Sequence, residues 1–305
     1  MSVQSRIEDV LAPLGLDVGF SARHLSSGEV VSIAPRRLFP TASVYKVPLM
    51  VEVYRQADKG RFALSDRIGL SEAHRIIGSG VLQKLGGGLA PTIRDLAMLM
   101  IVVSDNTATH MLQELVGAEA TTATMRRLGL QDIHVSLPMP ALFAHGYGIP
   151  PVPPPTYGEM LAASRERDMD LAGLAFRRSP ENTTSSAQDM AALCAMIHEG
   201  KAGRAAACAD MMEILRAQQL RDRVPRFLPA GAVANKTGSF RRIRNDAGII
   251  LRGEGDAIAF ALFTDDPTAL PRGNSATLGR RNAQVDLAMA EVGGILWEEF
   301  GAGRR

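Results

Sequence analysis

At 305 residues the chain is long enough for a large core, in the range where chains tend to divide into lobes or domains. Hydrophobic residues at 46% and charged residues at 22% give the profile of an ordinary water-soluble globular protein. A formal charge of +2, with no long Lys/Arg run, offers no electrostatic footing for nucleic acid or an acidic membrane surface.

In chain order, Met1–Val10 lacks the apolar segment of a secretory signal. No stretch approaches the roughly 18 apolar residues of a membrane span. The expectation is a cytoplasmic protein, or a periplasmic or secreted one if a leader precedes Met1. Ile7, Val10 and Leu11 suggest a short first helix closed by Pro13 and Gly15. Asp17–His24 and Glu29–Ile33 read as strands joined at Ser26-Ser27-Gly28. A helical pattern starts at Ser43 and runs to about Asp58, with Gly60 near its end. Gly78, Gly80 and Gly86-Gly87-Gly88 mark a loop, either a ligand approach or a plain connector. Thr92 with Asp95 caps an apolar helix to Val103, Ser104-Asp105-Asn106 makes a turn, and two further helices follow to about Leu128. Seven prolines between Pro138 and Pro155 predict an extended surface segment without a regular helix. Helices are expected at Glu159–Arg165, Ala187–Glu199 (capped by Ser186 with Asp189) and Arg204–Gln218. Val233–Lys236, Ala247–Leu251 and Ile258–Phe263 read as strands, with Gly253-Glu254-Gly255-Asp256 as a hairpin turn, before a last helix from Val285 to Phe300. Strands at both ends around a helical middle point to one sheet built from both chain ends, an α+β fold. Cys194 and Cys208 sit among apolar helical residues and read as buried thiols. None of the six histidines stands at metal-ligand spacing with another ligand, so no metal and no cofactor are expected.

Three polar motifs carry chemistry. Ser43 and Lys46 are three residues apart, so on a helix they share a face about 5–6 Å apart. A hydroxyl beside an amine at a helix start is a candidate nucleophile with its base, although the same spacing also occurs on solvated helix faces. Ser104-Asp105-Asn106 falls at an interhelix turn and Lys236-Thr237-Gly238 on a strand.

In this order and on these element types, the three motifs resemble the signature of class A β-lactamases and penicillin-binding proteins. The resemblance extends over about residues 17–300 and includes Phe39-Pro40, Val103–Ala108, Asn182-Thr183-Thr184, Leu228-Pro229-Ala230-Gly231 ahead of Asn235, and Arg281-Asn282. It implies one domain, 1–305, with a five-stranded antiparallel sheet flanked by helices (from 1–52 and 220–305) and an all-α lobe (53–219), the site lying between them. By the same resemblance, Ser43 attacks an amide carbonyl and Lys46 takes its proton. Ser104 passes a proton to the leaving nitrogen, and Asn106 binds the substrate's acyl amide. Lys236 and Thr237 meet its carboxylate, and the backbone N–H groups of Ser43 and Ser239 beside Gly238 form an oxyanion hole. One of Arg241, Arg242 and Arg244 is expected to reach the same carboxylate.

The chain departs from class A between Ser104 and Lys236. Those enzymes place a glutamate there, with an asparagine four residues on, to activate the water that frees the acyl group. No Glu-x-x-x-Asn occurs in this interval. Its nearest imitation is Glu166-Arg167-Asp168-Met169-Asp170, which makes Glu166 the candidate base, with Glu159 and Glu181 as alternatives and a solvated helix face as the plain reading of each. Three functions follow: a β-lactamase working through an acyl-serine, a D,D-peptidase-like amidase or esterase, and a slowly deacylating penicillin-binding sensor. The expected partner is a small-molecule substrate and the expected state a monomer.

Overall fold

The computed structural model describes residues 1–268 and 275–301. Helix α1 (Val3–Leu11) starts where the Ser2 side chain accepts from the Ser5 N–H, and it buries Ile7 and Leu11. Strands β1 (Asp17–His24), β2 (Val30–Ile33) and β3 (Leu38–Pro40) follow. A single 3-10 turn, Ala42–Tyr45, then leads into α2 (Lys46–Asp58). Helices α3 (Ile93–Val102), α4 (Asn106–Val116) and α5 (Ala118–Arg127) come next. Thr92 and Asp95 form the expected reciprocal cap on α3, and the Asp105 carboxylate caps α4 by accepting from Ala108 N–H.

The proline-rich segment corrects the sequence expectation, because Met139–Tyr147 is a helix, α6. Pro138 and Pro140 stand at its very start, where the missing N–H costs no intrahelical bond and the fixed φ suits the first turn. Only the prolines from Pro150 onward lie in irregular chain. Helix α7 (Tyr157–Glu166) opens on a Thr156/Glu159 capping box. Strand β4 (Thr184–Ser186) pairs with β3 in a two-stranded ribbon that the sequence did not suggest, and α8 (Ala187–His198) and α9 (Ala205–Arg216) follow it. Strands β5 (Val233–Phe240), β6 (Ile243–Gly253) and β7 (Asp256–Asp265) each outrun the apolar segment that marks them in the sequence, and α10 (Ser275–Glu298) ends the described chain.

The five strands form one antiparallel sheet in the order β2-β1-β7-β6-β5. On β7, Ile258, Phe260 and Leu262 face α1 and α10, while Ala259, Ala261 and Phe263 face the other way. Both faces are covered, which explains why β7 reads as a continuous apolar run and not an alternating one. Helix α8, inside the 53–219 portion by sequence, lies on the sheet, and its Met190, Leu193, Cys194 and Ile197 join a core that continues through α2 into α3 and α4. Cys194 and Cys208 are buried free thiols. The five-stranded sheet is thus covered on both faces, with β5 at its edge and the Ala42–Tyr45 turn beside it. Among the described residues no helix is long and apolar enough to cross a membrane.

Candidate active site

A cleft of about 420 Å³ opens between β5, the start of α2, the Ser104–Asn106 turn and α6. Ser43, Ser104, Asn106, Thr237 and Ser239 all line it. Lys46 and Lys236 lie fully buried behind it. Three of the four non-glycine residues with positive φ among the described residues line this cleft: Ala42 (44°), Ser104 (57°) and Arg241 (51°). Left-handed backbone at an L-residue is costly and persists where packing over-determines it, most often at functional sites.

Glycine brings the parts together. A Cβ at Gly238 would lie 2.5 Å from the Thr41 carbonyl oxygen and 3.2 Å from the Ser43 nitrogen, so only glycine lets β5 press against the turn that carries Ser43. A Cβ at Gly80 would lie 2.3 Å from the Asp105 carboxylate, and the Val81 and Leu82 N–H groups donate to that carboxylate at 2.6 and 2.9 Å. Gly78 and Gly80 therefore serve a close approach of protein to protein, locking the 78–82 loop onto the Ser104–Asn106 turn. That loop adds Ser79 to the cleft, and its hydroxyl donates to the Ser104 carbonyl at 2.7 Å.

Lys46 Nζ reaches the Ser104 carbonyl at 2.8 Å, the Ser104 hydroxyl at 3.0 Å and Asn106 Oδ1 at 2.9 Å. Burial, with the Lys236 charge nearby, holds its pKa well below the ordinary lysine value, against the pull of Asp105. Lys46 Nζ thus donates to two carbonyl-type oxygens and to the Ser104 hydroxyl, so these groups form one buried chain along which a proton can pass. Lys236 Nζ donates to the Thr237 carbonyl at 2.8 Å, and burial together with Arg223 lowers its pKa to about 7, opposed by Asp246. Asp246, buried on the paired strand, is raised to about 7 by burial, while Asn235 Nδ2 donates to it at 2.7 Å.

Sequence reasoning missed Arg223. It is buried, pairs with Asp286 at 2.9 Å, and donates to the Gly238 carbonyl, the Asn245 carbonyl and the Ser239 hydroxyl, so it fixes the end of β5 from behind. Of the three arginines singled out, Arg241 and Arg244 line the cleft, and Arg244 also pairs with Asp286. Arg242 points away, paired with Asp265 at 2.7 Å and stacked over Phe176.

The glutamate expectation fails on geometry. Glu166 is exposed at the end of α7 and lines a separate depression with Pro150, Pro153 and Glu159. Glu159 spends its carboxylate on the Thr156 cap, which lowers its pKa. Glu181 is exposed and held low by a hydrogen bond with Ser179. Among the described residues no Asp or Glu lines the cleft. The wall is formed instead by Met139, Leu142, Phe143 and Tyr147 of α6 together with Met169 and Phe240. Met139 and Phe143 stand four apart on one helix face. The usable sequence signal was Pro138 and Pro140 as a helix start, with an apolar i, i+4 pair behind it. Among the described residues no group of three or more His, Cys, Asp or Glu side chains could hold a metal ion.

The model of a family described as the beta-lactamase enzyme family matches residues 2–300. The chain belongs to that family. It is a serine hydrolase of the β-lactamase type, and its fold is the α+β fold of the class A β-lactamases. The beta-lactamase regulatory protein BlaB of Streptomyces cacaoi is 26% identical over 290 residues, covering 87% of this chain and 89% of its own. A beta-lactamase structure from Sphaerobacter thermophilus is 29% identical with a TM-score of 0.75, covering 98% of this chain and 96% of its own. The structure of PBP-A, 23% identical, superposes with a TM-score of 0.75 over 98% of this chain and 95% of its own. This β-lactamase family member carries the Ser43–Lys46 pair and the Ser104–Asn106 and Lys236–Gly238 motifs around a cleft walled by α6.

Proposed function

We propose that this protein opens β-lactams by acylating Ser43 and releases the acyl group slowly. One observation carries the reading: the cleft brings together the Ser43, Lys46, Ser104 and Asn106 groups that can form an acyl-serine, and among the described residues no carboxylate lines it to activate the water that removes the acyl group. In the first step Ser43 Oγ bonds to the lactam carbonyl carbon while the ring C–N bond breaks. The hydroxyl proton passes to neutral Lys46 and, through Ser104, to the departing nitrogen. The Ser43 and Ser239 N–H groups hold the oxygen that becomes negative, worth about 3–4 kcal/mol per donor in comparable sites. Thr237 and the cations at positions 241 and 244 receive the substrate carboxylate, with the charge of Lys236 buried behind them. Hydrolysis of the ester then has water but, among the described residues, no carboxylate base beside it.

Incubation with a penicillin, followed by intact mass, tests this. An adduct of the penicillin's full mass that persists for minutes or longer, with weak nitrocefin turnover, is expected, and Ser43→Ala should form none. An acyl-enzyme that empties within a second, or an adduct that survives Ser43→Ala, overturns the reading.

A further inference from the structure

The cleft lining is of two kinds, polar at Arg241, Arg244, Thr237 and Ser239 and aromatic at Phe143, Tyr147 and Phe240. A Cβ placed on Gly78 would lie 2.7 Å from Asn106 Nδ2 and 3.5 Å from the Phe143 ring, so both side chains pack against Gly78. Phe143 is the centre of a ring array. Tyr147 stacks on it at 6.4 Å and 11°, and Phe240 meets it edge-on at 5.9 Å and 80°. Phe176 stacks behind Phe240 at 5.1 Å. Gly146 lets α6 close on this array, since a Cβ there would lie 2.7 Å from the Phe240 ring. Met169 completes the wall, and no carboxylate faces it among the described residues.

Resting on the acylation reading above, we propose that this array is the specificity pocket for the acyl side chain, and that it selects β-lactams whose amide carries an uncharged aromatic group. A phenyl ring entering beside Phe143 and Tyr147 leaves water for ring faces and edges already set at stacking and T-shaped geometry. An ammonium at the same place gives up its hydration and meets no carboxylate among the described residues.

Three penicillins with the same nucleus and the same amide test this: acetyl, phenylacetyl and α-aminophenylacetyl. The readout is the second-order rate of adduct formation by intact mass. Phenylacetyl is expected to acylate at least about tenfold faster than acetyl, and α-aminophenylacetyl to fall several-fold below phenylacetyl. Tyr147→Ala should cut the phenylacetyl-to-acetyl ratio about threefold or more. Phe143→Leu, which keeps apolar volume in the buried position, should do the same if Phe143→Ala does not fold. Equal rates for the three compounds, or a ratio untouched in folded variants at both positions, overturn the proposal while leaving acylation standing. Failure of all three to form an adduct refutes the acylation reading and this one with it.

Discussion

Met139 is the position at which turnover should be most easily changed. Its side chain is 2% exposed, lines the cleft with Ser43, and receives the Tyr45 hydroxyl at 3.8 Å on its sulfur. Burial raises the Tyr45 pKa, so this phenol stays a proton donor at every working pH. Met139→Glu keeps nearly the same length and volume and exchanges the thioether for a carboxylate that can accept from Tyr45 and face the ester. A positioned general base contributes about 10²- to 10⁴-fold, so the acyl-enzyme should decay faster by at least about 10². Burying a carboxylate there costs stability, by up to several kcal/mol before the Tyr45 hydrogen bond and the nearby lysines offset it, and Tm should fall. The assay is the half-life of the penicillin adduct by intact mass after free penicillin is removed, with Met139→Gln as the same shape without a base. The gain should vanish as pH falls below the new carboxylate's pKa. If Met139→Glu sheds the acyl group no faster than Met139→Gln, the wall of α6 is not what withholds hydrolysis.

Other outcomes follow from the buried charges and the close contacts. With Lys236 near pH 7, acylation should fall above about pH 7 as Lys236 loses its charge, and Lys236→Arg should move that alkaline limb upward in a pH–rate profile. Asp246 titrates near 7 in the folded chain against an ordinary value of 3.8, so the folded state keeps its proton while the unfolded state gives it up. Its contribution to stability is therefore lost as pH rises from about 4 to about 7. Asp246→Asn should gain over wild type across that window, by at most about 4 kcal/mol from about three pKa units, in denaturant titrations at several pH values. Gly238→Ala drives a methyl into the Thr41 carbonyl and the Ser43 nitrogen, so it should lower Tm and slow acylation by about 10²-fold or more, the scale of losing one oxyanion donor. Adduct formation at the wild-type rate would show that the turn and the strand can separate without consequence.

Much of this was legible in the residues because it is local. The caps at Thr92 and Ser186 are three-residue signals, and the apolar runs of β5, β6 and β7 mark strands buried on both faces. The motifs at Ser43, Ser104 and Lys236 announced a cleft whose parts the fold brings together. What the sequence hid depends on contacts far along the chain. The β3–β4 ribbon joins residues nearly 150 positions apart and is only three residues wide, too short for any periodicity. Arg223 reads as one more charge in an Arg-Asp-Arg stretch until Asp286 and Ser239 are seen around it. Helix α6 was masked by its own prolines, which count against a helix when tallied and in favour of one when they stand at its first turn. Glu166 was chosen as the best sequence match to a spacing, and spacing carries no information about which way α7 turns its end.

The division of labour between elements has an evolutionary consequence. Lys46, Ser104 and Lys236 are buried, wedged among the core of α2, the cap of α4 and the sheet edge, so changing them disturbs the fold as well as the chemistry. The cleft wall opposite them comes from a nine-residue helix that presents Met139, Leu142, Phe143 and Tyr147. A lineage could pass between a protein spent by each antibiotic molecule it meets and one that destroys thousands by exchanging side chains on that single helix, with the acylating machinery inherited intact in either direction.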